Sequence, residues 1–200
     1  MRTKSAERRH HILRVAAATF AELGVEATTM SEIVSRLGGS KATIYNYFPS
    51  KDELVQQVLA QSSELKLQQS FAALDPARPI DEALRHFARA YLAQLLTPEM
   101  LSAMRIAQQN AHKGGEGGTR FYAAGPKVGW TIMQQFLARH VEAGTLRPCD
   151  GWVAAMHLKG LIQGELLDRA MYGEKIVAVR AIHQAADRGV EAFLRAYRND

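Results

Sequence analysis

The chain has 200 residues, of which 47% are hydrophobic and 22% are charged. This balance is typical of a folded globular protein and excludes a disordered polymer, a collagen-like repeat and, because no apolar run approaches about 18 residues, a membrane-spanning chain. The single cysteine, Cys149, excludes an intramolecular disulfide, and the seven histidines lack the spacing of a zinc site, so we expect neither a metal nor a cofactor.

The net charge is +5, with 25 Lys and Arg residues against 20 Asp and Glu residues. Residues 1–51 hold eight of the basic residues and only four of the acidic ones. Nearly all of the excess positive charge therefore lies in the first quarter of the chain, which favours an anionic partner there. The N-terminus lacks the apolar stretch of a signal peptide, so we expect a cytoplasmic protein.

Apolar residues recur at spacings of three and four along nearly the whole chain, which predicts an all-α fold of about nine helices. The first helix is predicted over residues 5–23. Thr29 and Glu32 then form a capping box, the pattern in which a Ser or Thr at the N-cap is followed three residues later by Glu. This box predicts a short second helix that ends at Gly38.

Ser40 is a suitable N-cap for a third short helix that reaches about Phe48. Ser50 and Glu53 form a second capping box, which predicts a long fourth helix over residues 51–71. Three short helices followed by a long one are the length pattern of a helix-turn-helix head joined to a helical body.

The remaining segments predict longer helices and one Gly-rich mobile loop, at residues 112–118. The helix lengths divide the chain into a helix-turn-helix domain at residues 1–52 and a helical body domain at residues 53–200. The later helices are predicted over residues 79–96, 98–112, 119–143 with an interruption at Gly125-Pro126, 151–171 and 174–198.

The segment at residues 28–54 carries the clearest functional pattern. In a helix-turn-helix the second helix of the pair lies in the major groove of DNA, and here Ile44 and Phe48 form its inner apolar face. The polar residues left on its outer face favour DNA contact, with Lys41, Tyr45 and Asn46 as candidates for reading bases and the others for binding phosphate. The predicted DNA-binding residues are Thr29, Ser40, Lys41, Thr43, Tyr45, Asn46, Tyr47 and Lys51.

This segment closely resembles the DNA-binding head of the TetR family of bacterial transcriptional regulators. One departure is Gly39, where the family usually has Val, and we expect the larger Leu37 to fill the space of the missing side chain. The matching positions are Thr29, Ile33, Gly38, Ser40, Thr43, Tyr45, Tyr47, Phe48, Ser50, Lys51, Asp52 and Leu54.

The resemblance implies a homodimer that binds a pseudo-palindromic DNA operator, together with a body that binds a small effector. The segments at residues 95–115 and 119–147 look like the regulatory domain of the AefR-like branch of this family. The expected function is that of a ligand-responsive transcriptional regulator, and of a repressor in particular, released from its operator by a small, largely apolar molecule of unknown identity.

Small residues at helical spacing on the last two predicted helices suggest a dimer interface, because interior glycines cost helix stability unless close approach compensates. Ordinary packing within one chain is the alternative. The predicted interface residues are Trp152, Gly160, Gly164, Ala181, Ala185, Gly189 and Phe193.

Met and aromatic residues line single faces of the sixth and seventh predicted helices, and such residues suit an adaptable apolar pocket with a few polar groups. The alternative for each is a plain core residue, and for His157 a core histidine whose hydrogen bonds are satisfied. The predicted effector-binding residues are Met100, Met104, Gln108, Trp130, Met133 and His157.

Two other classes of function stay open on the sequence alone. A nucleic-acid-binding adaptor without an effector would show no sequence preference. A small helical enzyme is a weaker alternative: Ser63 and Lys66 match S-x-x-K, but no partner motif accompanies them, and the Gly-rich segment at residues 112–118 lacks the lysine of a phosphate-binding loop. We therefore expect no catalytic residues.

Overall fold

The computed structural model describes residues 2–71, 74–112, 117–175 and 178–199. Within these ranges the chain is all-α, as predicted, with one isolated bridge between Leu146 and Arg198 and no strand. None of the described helices is long and apolar enough to cross a lipid bilayer. The helices are α1 (Arg2–Leu23), α2 (Met30–Leu37), α3 (Lys41–Tyr47), α4 (Lys51–Phe71), α5 (Ile80–Leu95), α6 (Pro98–His112), α7 (Gly117–Ala124), α8 (Pro126–Glu142), α9 (Gly151–Met171) and α10 (Val179–Tyr197).

Several helix boundaries differ from the sequence prediction: α1 begins at Arg2 rather than residue 5, and α7 begins at Gly117 rather than residue 119. The interruption at Gly125 and Pro126 is complete, so the predicted seventh helix forms two helices, α7 and α8. The last helix begins at Val179 rather than Glu174, because the backbone N–H of Glu174 still bonds to the Arg169 carbonyl in the final turn of α9. The predicted Gly-rich loop at residues 112–118 is wrong at its described ends, because His112 belongs to α6 and Gly117 and Gly118 belong to α7, while residues 113–116 lie outside the described residues.

The predicted N-caps of the first domain are confirmed. The side-chain oxygens of Thr29, Ser40 and Ser50 accept hydrogen bonds from backbone N–H groups three residues later, at 3.1, 3.2 and 3.1 Å. Gly38 ends α2 with φ of 66°, a left-handed conformation in which glycine carries no Cβ penalty. These local signals set where the short helices begin and end.

The helices group into two compact units. The first unit comprises Met1–Glu64 and Pro98–Ala124, so it contains α1 to α3, most of α4, α6 and α7. Its buried side chains include Phe20, Ile33 and Leu54. Within this unit α6 packs against both α1 and α7.

The second unit comprises Leu65–Thr97 and Gly125–Asp200, and it contains α5, α8, α9 and α10. Here α10 packs against α9 and α5, and α8 packs against α9. The Arg89 guanidinium on α5 donates two hydrogen bonds, of 2.8 and 2.7 Å, to the Asp187 carboxylate on α10 and so holds the pKa of that carboxyl below its usual value. This ion pair fixes α10 on α5.

Candidate functional site

Helix α3 has one buried face and one open face. Ile44 and Phe48 are 1% and 0% exposed, respectively, so they fix the rotation of the helix about its axis. Lys41, Tyr45 and Asn46 are exposed, and Tyr45 keeps 46% of its surface open although it is aromatic. The three side chains predicted to read bases therefore all remain open to solvent on α3.

The predicted phosphate contacts near the helix starts also have structural roles. Thr29 and Ser40 cap α2 and α3, and the Ser40 hydroxyl lies 2.9 Å from that of Thr43. Tyr47 is half-buried, with its ring centroid 6.5 Å from that of Phe48. Thr29 and Ser40 are exposed, so both hydroxyls remain at the surface while they cap a helix.

Lys51 is half-buried, and its ammonium group is engaged within the first unit. The Nζ atom donates to the carbonyl oxygens of Val25 and Glu26 at 3.0 and 3.4 Å. Two of its three N–H donors thus tie the start of α4 to the loop between α1 and α2. The side chain predicted to bind phosphate has a structural task that the sequence did not indicate.

The guanidinium groups of Arg36 and Arg9 bind to other side chains of the first unit. The Arg36 guanidinium bonds to Glu22 on α1 at 2.6 Å and to Glu32 on α2 at 3.0 Å, and it lowers the pKa of the Glu22 carboxyl. Arg9 donates to Gln57 at 2.6 Å, and its guanidinium carbon lies 5.3 Å from the centre of the Phe48 ring. Both arginines therefore hold the helices of the first unit together.

Arg8 is a surface cation that the sequence interpretation did not single out. Its Nη2 atom lies 3.1 Å from the position that a Cβ atom would take at Gly39. The space left by the missing side chain was expected to be filled by Leu37, but the Arg8 guanidinium lies against it instead. The only sequence signal was helical spacing, because Arg8 precedes the buried Ile12 by one turn.

Three of the predicted effector-binding residues lie on α6, in the first unit. Met100 is buried, Met104 is half-buried and Gln108 is exposed. Helix α6 packs against α1, and a Cβ atom at Gly24, at the end of α1, would lie 4.0 Å from Oε1 of Gln109. Helix α6 is thus in direct contact with the helix that carries Arg8 and Arg9.

Two further predicted effector residues, Trp130 and Met133, are core residues of the second unit, with 1% and 0% exposure. The Trp130 ring centroid lies 5.7, 6.0 and 5.3 Å from those of Phe71, Phe87 and Tyr91. We call these four rings the aromatic cluster. Both residues are therefore buried as core residues are, which agrees with the alternative that the sequence left open.

The Tyr91 hydroxyl is a buried polar group of the aromatic cluster that the sequence interpretation missed. Gln163 on α9 donates a hydrogen bond of 2.8 Å to the Tyr91 hydroxyl, and burial raises the pKa of Tyr91 to about 12. Gly129 allows the cluster to close, because a Cβ atom there would lie 2.2 Å from Cε2 of Phe71. No motif marks Tyr91, whose role follows from contacts distant in sequence.

His157, the sixth predicted effector residue, is exposed and bonded to a neighbouring helix. Its Nδ1 atom lies 2.5 Å from the hydroxyl of Tyr197 on α10. The expectation of a core histidine was wrong in burial, although the imidazole does have a hydrogen-bond partner. That partner ties α9 to α10.

Helices α9 and α10 border a groove of about 340 Å³. Of the predicted dimer residues, Ala181, Ala185, Gly164 and the buried Gly189 line it, and Gly164 kinks α9 with φ of 37° and ψ of −142°. Outside the groove lining, Gly160 is exposed with open space around it and Trp152 is half-buried. Apart from Gly189, these residues leave part of the surface of α9 and α10 uncovered by the described residues of one chain.

Two predicted interface residues belong to the interior of one chain instead. Phe193 is 0% exposed. A Cβ atom at Gly189 would lie 2.6 Å from the carbonyl oxygen of Leu161, so this glycine lets α10 approach the α9 backbone. Both residues are therefore packed within one chain, although Gly189 also lines the groove, and their place in a dimer interface stays a prediction.

Metal and thiol chemistry have little support among the described residues. They include no group of three or more His, Cys, Asp or Glu side chains that could hold a metal ion. Burial raises the pKa of the Cys149 thiol, with Asp150 adding to the effect and Arg147 opposing it. The reactive thiolate is therefore disfavoured at neutral pH.

Comparison with known proteins decides the family. Residues 12–58 match the family model described as bacterial regulatory proteins, tetR family, and residues 82–199 match that described as AefR-like transcriptional repressor, C-terminal domain. The chain belongs to the TetR family. Its second match confirms the AefR-like branch suggested by the sequence, and with it a DNA-binding transcriptional regulator.

Individual TetR-family proteins agree with this assignment. The regulator YhgD of Bacillus subtilis (strain 168) is 25% identical over 146 residues, which cover 73% of this chain and 75% of YhgD. A TetR-family regulator from Mesorhizobium loti MAFF303099 has a TM-score of 0.84 at 26% identity, over 97% of this chain and 98% of that one. The Flavonoid-responsive Regulator FrrA has a TM-score of 0.71 at 29% identity, over 96% and 98%.

Proposed function

We propose that this TetR-family protein is a cytoplasmic, homodimeric repressor that binds a pseudo-palindromic operator and leaves it when a small apolar effector binds. The observation that carries the proposal is the division of α3 into a buried face, Ile44 and Phe48, and an open face with Lys41, Tyr45 and Asn46. A helix held in this way can enter the major groove with its polar side chains toward the bases.

The proposed DNA contacts fall into two groups. Lys41, Tyr45 and Asn46 read base edges, because their side chains are open to solvent on α3. The rest bind the sugar-phosphate backbone, which sets the register but carries no sequence information. Those phosphate contacts are Thr29, Ser40, Thr43, Tyr47 and the remaining N–H of Lys51.

A second copy of the chain is the proposed occupant of the groove between α9 and α10. Ala181 and Ala185 are small and half-buried there, so a helix from another chain can approach closely. Trp152, Gly160 and Gly164 complete the proposed interface. Two heads related by a two-fold axis then read half-sites one or more helical turns apart, or about 34–36 Å per turn.

The effector acts through α6 in this proposal. Met100, Met104 and Gln108 lie on that helix, which packs against α1 of the DNA-binding head. A ligand shifts the equilibrium only if it binds one arrangement better, so the effector must favour the α6 position in which the head no longer fits the operator. An effector contact by Trp130, Met133 or His157 stays a prediction. Trp130 and Met133 are buried in the core of the second unit, and His157 is bonded to Tyr197.

A footprint of the DNA upstream of the protein's own gene tests the proposed repressor. We expect two protected half-sites related by a dyad, and we expect random duplex to compete poorly. Equal competition by random duplex would contradict the proposal and favour a non-specific nucleic-acid adaptor.

A thermal-shift titration with a flavonoid panel tests the effector, because the solved relative FrrA is named as flavonoid-responsive. We expect a compound that raises the unfolding temperature with concentration and also releases the DNA. A compound that stabilises the protein and leaves the DNA complex intact would contradict the proposed mechanism.

A further inference from the structure

The Arg8 guanidinium lies beside the turn that joins α2 to α3. Its Nη2 atom is 3.1 Å from the Cβ position of residue 39, which is closer than an ordinary van der Waals contact. Gly39 is not among the residues with positive φ, unlike its neighbour Gly38. No left-handed backbone conformation therefore requires glycine at residue 39, and what glycine provides there is room for the guanidinium.

The charge of Arg8 has no counter-charge among the described side chains. The neighbouring Arg9 bonds to Gln57, and Arg36 pairs with two glutamates, whereas Arg8 forms no hydrogen bond or ion pair with any side chain that the structure describes. Arg8 is also half-buried, so part of its hydration is already lost. A guanidinium in this position favours an anion from outside the chain.

The surroundings of Arg8 indicate which anion. The side chain borders the same crevice as Ser40 and Thr43, two of the proposed phosphate contacts on α3. Helices that support a recognition helix meet DNA at its sugar-phosphate backbone. A guanidinium presents paired N–H donors that match the oxygens of a phosphate.

We propose that Arg8 is a further DNA-binding residue, which contacts a backbone phosphate beside the groove entered by α3, and that Gly39 positions it by leaving its space open. This inference rests on the proposed operator binding. It adds a contact from α1 to those from α2, α3 and α4, and it assigns a role to a glycine that the turn itself does not require.

The first test measures the affinity of the full-length protein for its upstream DNA and for random duplex over a range of salt concentrations. Arg8→Ala is expected to weaken binding to both DNAs by about 10-fold. It is also expected to reduce the slope of log affinity against log salt concentration by about 0.9 for each head. Arg14→Ala removes the same charge from another face of α1 and is expected to leave affinity nearly unchanged. Arg8→Lys should keep the wild-type salt slope.

The second test is a double-mutant cycle between Arg8 and Gly39. Gly39→Val should displace the guanidinium and weaken binding of both DNAs, yet it should add no further loss in the Arg8→Ala background. Equal losses from Gly39→Val in the two backgrounds would overturn the positioning role of Gly39.

The outcomes separate this inference from the proposed function. A wild-type protein without preference for its upstream DNA would refute the proposed function. A wild-type protein with that preference, but with Arg8→Ala and Arg14→Ala indistinguishable, would refute the role of Arg8 alone. A lower unfolding temperature for Arg8→Ala, with no restored binding in Arg8→Lys, would assign the residue to packing and also overturn the inference.

Discussion

The Nζ atom of Lys51 lies 3.0 Å from the carbonyl oxygen of Val25, so the first residue of α4 is bonded to the loop that follows α1. This contact gives one lysine two tasks, because the same side chain is a proposed phosphate ligand. The two tasks make different predictions for stability and for DNA binding.

Replacing Lys51 with Met should lower both the stability of the protein and its affinity for DNA. Loss of a hydrogen bond from a charged donor to a carbonyl costs about 1.5–3 kcal/mol, which urea denaturation would measure as a lower free energy of unfolding. Lys41→Met is the matched control, because Lys41 is exposed and the described residues offer it no hydrogen-bond partner. It should weaken DNA binding and leave stability unchanged. Equal stability of the two variants would contradict a structural role for Lys51.

The close approach of α10 to α9 predicts that Gly189→Ala destabilises the protein. The new Cβ atom would lie 2.6 Å from the Leu161 carbonyl oxygen, and backbone cannot move aside as a flexible side chain can. We expect the free energy of unfolding to fall by about 1–3 kcal/mol. A Cβ atom at Gly160 would meet no atom of its own chain within 4 Å, so Gly160→Ala, measured at concentrations where the protein is a monomer, should be neutral or stabilising by up to about 1 kcal/mol. Similar effects of the two substitutions would refute the close contact.

Burial of the Tyr91 hydroxyl predicts a stability loss at high pH. The folded state holds this proton to a pKa of about 12, while an unfolded chain releases it near 10.0. The contribution is therefore complete below about pH 10 and is lost as the pH rises towards 12, by on the order of 2–3 kcal/mol. Denaturation curves at pH 9 to 11 should show this slope in the wild type and less of it in Tyr91→Phe. Identical slopes would contradict the prediction.

The groove between α9 and α10 predicts that Ala185→Arg converts the dimer to a monomer. A large charged side chain would fill the space proposed for the second copy. Ala93→Arg is the control, because Ala93 is exposed on α5 and does not line the groove. Sedimentation velocity at micromolar concentration should show a monomer for the first variant and a dimer for the wild type and the control. A wild-type monomer would refute the interface.

Local patterns in the sequence were sufficient to predict the DNA-binding head. Thr29, Ser40 and Ser50 cap their helices within three residues, and the spacing of Ile44 and Phe48 fixes the face that α3 buries. Both signals act between residues close in the chain, so no knowledge of the tertiary structure was needed.

Contacts between distant residues could not be predicted in the same way. The four rings of the aromatic cluster come from α4, α5 and α8, and Gly189 meets Leu161 across two helices. Small and aromatic residues at helical spacing are found in cores, pockets and interfaces alike. Their pattern could therefore not show that Gly189 is buried against α9 while Ala185, which borders the same groove, is only half-buried.

The most direct test of the account is the affinity of three proteins for the upstream DNA and for random duplex at one salt concentration. Tyr47→Phe should weaken both DNAs alike, because a lost phosphate contact is independent of sequence. Asn46→Ala should weaken only the upstream DNA, by roughly 10-fold or more, because an amide reads a base edge. If Tyr47→Phe and Asn46→Ala instead both bind the two DNAs as tightly as the wild type, the contact of α3 with the operator is contradicted and the central claim is wrong.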